Sequence, residues 1–228
     1  MAAGKKNKVK FGLNKVHFAM CHIDDDGNAT YDTPVRIPGG VSLSVNPSGE
    51  PENFYADNRV YYVINNNSGY EGDLELALLS LEFRKDVLGE LLDQKGVLVE
   101  KNDAELKQFA LLFEFDGDVN HIRHVLYCCT ASRTAVEGET NTDTKTPKTE
   151  TCSFTAAALD NGLVKCRTCE ETDSEVYANW YKAVYVPNVT EATGGISNAG
   201  KKIMIDGKPV KFRASAAVPR LYMALTGS

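Results

Sequence analysis

The segment Phe109-Ala-Leu-Leu-Phe-Glu-Phe-Asp116 most narrows what this chain can become. Phe109, Leu111, Phe113 and Phe115 recur at period two on one face, with Ala110, Leu112, Glu114 and Asp116 on the other. That spacing belongs to a β-strand. Asp116-Gly117-Asp118 then supplies turn chemistry, because glycine accepts positive φ and aspartate bonds its own backbone. The chain returns through Ile122 and Val125 to Cys128, so Phe109 to Thr130 reads as a hairpin.

The same period recurs along most of the chain. Lys15 to Ile23 places Val16, Phe18 and Met20 together, and Val35 to Val45 aligns Val41, Leu43 and Val45. Val60 to Ile64 is rich in residues of high strand propensity. Leu74, Leu76 and Leu78 line one side of a strand that also carries Glu75. Thr149 to Ala157 and Gly162 to Cys169 read as a further hairpin around Asp160-Asn161-Gly162. Two helices interrupt this pattern. Glu82 to Leu92 has Phe83, Val87 and Leu91 at helical spacing. The second opens at Thr172 with Glu175 three residues on, aligns Val176, Trp180 and Val184, and stops at Pro187. The expected fold is mainly β (α+β): a sandwich or barrel with a flanking helix.

The 228 residues suit one large domain with small appendages. Residues 1–10 form a basic arm carrying Lys5, Lys6, Lys8 and Lys10. Residues 11–188 form the β-domain, with a polar, mobile loop over about 135–151. Residues 189–228 form a linker and a terminal hairpin, Ile203 and Ile205 facing Val210 and Phe212 across Asp206-Gly207. A net charge of -6 argues against a general nucleic-acid binder, which needs a basic surface to displace counterions from phosphates. No apolar stretch is long enough to span a bilayer as a helix.

Six cysteines raise the question of a metal site. Cys166 and Cys169 have zinc-knuckle spacing, but in a strand residues three apart point to opposite faces. Cys128 with Cys129, and His121 with His124, face the same objection, so packed free thiols are expected. Asp24, Asp26 and Asn28, like Asp116, Asp118 and Asn120, open as a calcium loop would. Each lacks the glycine at position six and the glutamate at position twelve, leaving hairpin turns. No nucleophile elbow, phosphate-binding loop or dinucleotide fingerprint occurs. The reading is therefore of a protein without catalytic, metal or cofactor sites.

Six segments, in order, carry a resemblance: Phe11-Gly-Leu-Asn-Lys-Val-His-Phe-Ala19, Asn53-Phe-Tyr-Ala-Asp57, Gly69-Tyr-Glu-Gly-Asp-Leu-Glu-Leu-Ala-Leu78, Phe83-Arg-Lys-Asp-Val-Leu-Gly89, Phe109 to Asp118, and Trp180-Tyr-Lys-Ala-Val-Tyr-Val-Pro187. Across residues 9–188 the chain resembles the major tail (tail tube) proteins of long, non-contractile-tailed phages of Gram-positive bacteria. The resemblance implies a non-enzymatic β-sandwich whose sheets join between subunits into six-fold rings that stack into a tube for phage DNA. It implies as partners further copies of the chain, the tape measure, tail terminator and distal tail proteins, and DNA in transit without specific binding. Neither cofactor nor membrane is implied. The place implied is the virion tail, assembled in the host cytoplasm. Many members append an immunoglobulin-like domain, for which the last forty or so residues here are too few.

Two physical expectations follow. Strands about 4.8 Å apart mean that roughly 24 strands from six subunits give a girth of about 115 Å, a backbone diameter of about 37 Å before tilt. A conduit should also repel its cargo, since a basic wall would trap DNA by counterion release. Glu75, Glu114, Asp116 and Asp118 are the expected lumen-facing acids, and Ile203, Ile205, Val210 and Phe212 the expected subunit contacts. A competing reading is a β-sandwich ligand- or carbohydrate-binding module using Phe54, Tyr55, Tyr61, Tyr62 and Tyr70 as an aromatic platform. A third, a small zinc-stabilised enzyme, rests on the cysteines alone.

Overall fold

A computed structural model describes residues 11–64, 68–117, 120–138, 140 and 147–187, together with the backbone of a short strand pair at 204–205 and 208–209. The chain divides into two units, residues 1–186 and 187–228. In order, the elements are β1 (Leu13–Ile23), β2 (Ala29–Tyr31), β3 (Val35–Arg36), β4 (Gly40–Ser48), β5 (Glu52–Ala56), β6 (Arg59–Ile64), β7 (Gly69–Leu76), α1 (Leu81–Asp86), β8 (Leu91–Leu92), β9 (Leu98–Val99), β10 (Gln108–Phe115), β11 (Arg123–Ala131), β12 (Glu150–Ala157), β13 (Lys165–Arg167), α2 (Ser174–Asn179), β14 (Met204–Ile205) and β15 (Lys208–Pro209).

The strands of the first unit build an antiparallel sheet in the order β2-β1-β10-β11-β12-β7-β4, with β3 also on β1 and β13 also on β11. The sheet folds over a shared core as a sandwich and does not close into a barrel. Val16 and Phe18 of β1, Leu74 and Leu76 of β7, Phe109, Leu111 and Phe113 of β10, and Cys152 and Phe154 of β12 meet inside it. Phe83 of α1 plugs this core, edge-on to Phe18 and Phe109. Gly72 gives the neighbouring strands of the sheet room: a Cβ there would lie 2.1 Å from the Ser44 carbonyl of β4 and 2.8 Å from the Phe154 ring of β12.

A second apolar cluster lies on the outer face of the sheet. Ala19, Ala110, Leu112, Val125, Tyr127 and Cys128 pack with Leu159 and Trp180, and Val176 and Val184 lie against them. The segment around α2 thus covers the outer face of β1, β10 and β11. A register shift lets the consecutive residues Tyr127 and Cys128 both join this cluster, while Leu126 and Cys129 stay inside the sandwich.

Several local expectations need correction. The first helix ends at Asp86 rather than Leu92. Ser80 caps its start by accepting from the Phe83 amide, and Leu91 is exposed in the β8–β9 hairpin instead of continuing the stripe. The second helix is capped by Asp173, whose carboxylate accepts from the Glu175 and Val176 amides; Thr172 instead takes the Cys169 amide in the preceding turn. β12 and β13 do not pair with each other. Both lie on β11, β12 along Cys128–Ala131 and β13 along His124–Leu126, and the Asn161-Gly162 turn connects them around that edge. β14 and β15 pair Met204 with Pro209 and Ile205 with Lys208. The side chain of Ile205 falls outside the described residues, as do Ile203, Val210 and Phe212, the basic arm, Asp118 and much of the 135–151 loop.

Candidate functional site

Among the described residues nothing packs over the outer face of β4, β7 and β12. Along β7, Gly72, Leu74 and Leu76 are buried, while Glu71 and Asp73 are exposed and Glu75 half-buried. Register places Ser42 and Thr151 beside Glu75, Ser44 and Ser153 beside Asp73, and Asn46 and Thr155 beside Glu71. The three rows carry an acidic spine flanked by small polar side chains, and no basic residue. Successive carboxylates stand about 7 Å apart along the strand.

Hydroxyls fix this face. Ser42 donates to Glu75 at 2.7 Å, Thr149 to Glu75 at 2.6 Å, and Ser153 to Asp73 at 2.6 Å. The Thr149 and Ser42 hydrogen bonds hold the Glu75 carboxyl below its ordinary range, so Glu75 keeps its charge under mild acid. Glu75 was legible in the sequence. Glu71 and Asp73 were missed there, although they share its parity with no intervening break.

Asp116 and Glu114 separate from that group. Asp116 is exposed at the end of β10, where its carboxylate accepts from the Asn14 amide at 2.7 Å, and it does not belong to the acidic rows. Glu114 contradicts the expectation outright: only 1 % of it is exposed. Its parity was right, since it shares a face with Ala110 and Leu112, but α2 covers that face. Lys15 contacts Glu114 at 2.8 Å, Arg123 at 3.3 Å, and the Tyr181 hydroxyl donates to it at 3.0 Å. Arg123 stacks 3.8 Å from the Tyr177 ring and donates to the Tyr177 carbonyl. His17 lies on Tyr181 at 4.6 Å between centroids, and burial lowers its pKa. These groups pin α2 to the sheet. Their work is structural.

The aromatic platform splits as well. Among the described residues β5 and β6 form a hairpin hydrogen-bonded to no other strand, turned at Asp57 and Asn58 with φ of 53° and 57°. Both faces of such a hairpin are open, and Phe54, Tyr55, Tyr61 and Tyr62 are each more than half exposed. Phe54 pairs across from Tyr62, and Tyr55 from Val60. Tyr70 instead packs on the sandwich core, under Lys165 at 3.9 Å.

The cysteines behave as thiols. Cys21, Cys128, Cys129 and Cys152 are buried, and burial pushes Cys152 up to about 12. Tyr127 donates to Cys166 Sγ at 2.7 Å. Among the described residues no group of three histidine, cysteine or acidic side chains is placed to hold a metal. Nor is any described helix long and apolar enough to cross a membrane. Asp24 closes a hairpin turn, accepting from the Asp26 and Asn28 amides.

Comparison with known sequences decides the family. The sequence model of the phage tail tube proteins matches residues 44–194, which takes in the carboxylates of the acidic rows, the aromatic hairpin and α2. The chain belongs to the phage tail tube protein family. It is thus a structural component of a virion tail, a kind of protein that assembles with other tail components. No curated protein matches the sequence. Among solved structures, one similar chain comes from the six-fold symmetrised cryo-EM structure of the anti-feeding prophage baseplate. It is 9% identical with a TM-score of 0.41, covering 74% of this chain and 99% of that one.

Proposed function

We propose that this tail tube family member is the major tube subunit, assembling into stacked hexameric rings that conduct phage DNA. In this reading the bare face of β4, β7 and β12 lines the lumen. One observation carries it: three rows of acids and small polar groups with no base, on the part of the sheet that α2 leaves uncovered. A duplex sliding past such a wall finds no cation for which to exchange its counterions. β4 ends the sheet with a nine-residue edge, and an open edge of that length is where a neighbour's sheet continues. Glu75 keeps the role expected of it, joined by Glu71 and Asp73. The C-terminal segment bearing Ile203, Ile205, Val210 and Phe212 bridges subunits or rings, and the tape measure, terminator and distal tail proteins cap the tube. Assembly takes place in the host cytoplasm.

Negative-stain electron microscopy of the concentrated protein tests the assembly, with hollow six-fold tubes expected. Replacing Glu71, Asp73 and Glu75 with lysine tests the lumen. The lysine tubes should retain DNA, with affinity falling steeply as salt rises, while native tubes retain none. Equal retention by both would place the acidic rows elsewhere.

The exposed aromatics of β5–β6 favour a second reading, a β-sandwich module that binds carbohydrate through them. A glycan screen returning a ligand lost in Tyr61→Ala and Tyr62→Ala would establish it. Hairpin-dependent assembly with an empty screen would dismiss it.

A further inference from the structure

The hairpin and a groove on the same chain are complementary. The groove opens between the layers of the sandwich and measures about 670 Å³. Leu43 and Val45 of β4 form one wall and Phe113 and Phe115 of β10 the other, while Lys165 and Arg167 of β13 stand exposed at its rim. A groove of this size and lining takes an apolar insert, and its rim selects an acidic one. The β5–β6 hairpin has that chemistry. Its aromatic faces are solvated, Glu50, Glu52 and Asp57 surround them, and Arg59 is the only base from Glu50 to Ile64. A solvated two-stranded hairpin with two apolar faces is marginally stable until something covers it. The exposure of its aromatics also shows that it does not fill the groove of its own chain.

We infer that the β5–β6 hairpin of one copy docks into the sandwich groove of the next, with Glu50 and Glu52 meeting Lys165 and Arg167. The inference rests on the self-assembly proposed above and names the surfaces that carry it. Donor and acceptor are different surfaces, so the contact is head-to-tail and propagates from copy to copy until a ring closes. An exposed apolar hairpin is also an aggregation hazard, and docking removes it.

Charge exchange tests the contact with exposed side chains, and because Lys165→Glu also gives up the Tyr70 ring, each variant's far-ultraviolet circular dichroism spectrum is checked against the native one. Sedimentation velocity is run on the native chain, on Glu50→Lys/Glu52→Lys, on Lys165→Glu/Arg167→Glu, and on an equimolar mixture of the two variants. The native chain should assemble, and each variant alone should need at least tenfold more protein to do so. The mixture should recover native assembly, because every hairpin then meets a groove of opposite charge. Tyr62→Asp should stay monomeric with an unchanged far-ultraviolet circular dichroism spectrum. Native assembly by both charge variants alone would overturn the hairpin contact and leave the tube reading standing. A native chain that stays monomeric at every concentration would instead overturn the assembly reading, and this inference with it.

Discussion

The two halves of the sheet's outer face are built from opposite materials. Over β1, β10 and β11 it is Ala19, Ala110, Leu112, Val125 and Tyr127, sealed by Trp180. Over β4, β7 and β12 it is Glu71, Asp73 and Glu75 among serines and threonines, with no described residue on top. Both halves share one inner core, so the inner face cannot explain the difference. What differs is the partner each outer face has within the chain. The first half has a helix as its lid. The second has no lid among the described residues.

Removing the lid should have the largest effect. Trp180→Ala deletes a side chain only 2 % exposed and should cost about 3–5 kcal/mol in urea unfolding. A loss under about 1 kcal/mol would mean that α2 rests on the sheet without sealing it. Glu114→Gln comes next. It removes the charge opposite Arg123, whose side chain is 13% exposed and keeps the Tyr177 carbonyl and ring, and should cost about 3 kcal/mol. Lys15, nearly half exposed, adds little to that figure.

The bare half should behave otherwise. Changing Glu71, Asp73 and Glu75 together to their amides should move stability by less than about 0.5 kcal/mol per site, as solvated positions do. Larger destabilisation in the isolated chain would show that the hydroxyl bonds hold the sheet together and are not mere surface. The smallest effect is pH-dependent. Burial makes His17 harder to protonate folded than unfolded, so the folded state binds fewer protons. Its share of stability is complete above the ordinary histidine value of about 6.5 and fades as pH falls through it. His17→Gln should flatten that slope, as thermal melts from pH 8 to pH 5 would reveal.

The contrast was partly legible in the sequence. β7 alternates cleanly, acid against aliphatic or glycine from Glu71 to Leu76, and such alternation marks a sheet wet on one side. Phe109 to Phe113 contains no polar residue, which marks a strand covered on both sides. Read by parity alone, Glu114 joined the wet set, because parity gives the face and not what lies over it. That answer required knowing where α2 docks, about sixty residues further along the chain. The pairing of β12 and β13 failed for a related reason. A good turn sequence brings two segments close, and here each found a better hydrogen-bonding partner in β11 than in the other. The hairpin's exposure was hidden because aromatic and β-branched strands look alike whether they face a core or await a neighbour.

The hydroxyls beside the acidic spine carry one more consequence. Ser42, Thr149 and Ser153 have turned their protons toward Glu75 and Asp73. Their donors are engaged before anything arrives, and the carboxylates offer only lone pairs. If this face lines the lumen as proposed, those three hydroxyls would have no free proton to hold a passing phosphate, which in mechanical terms lowers friction.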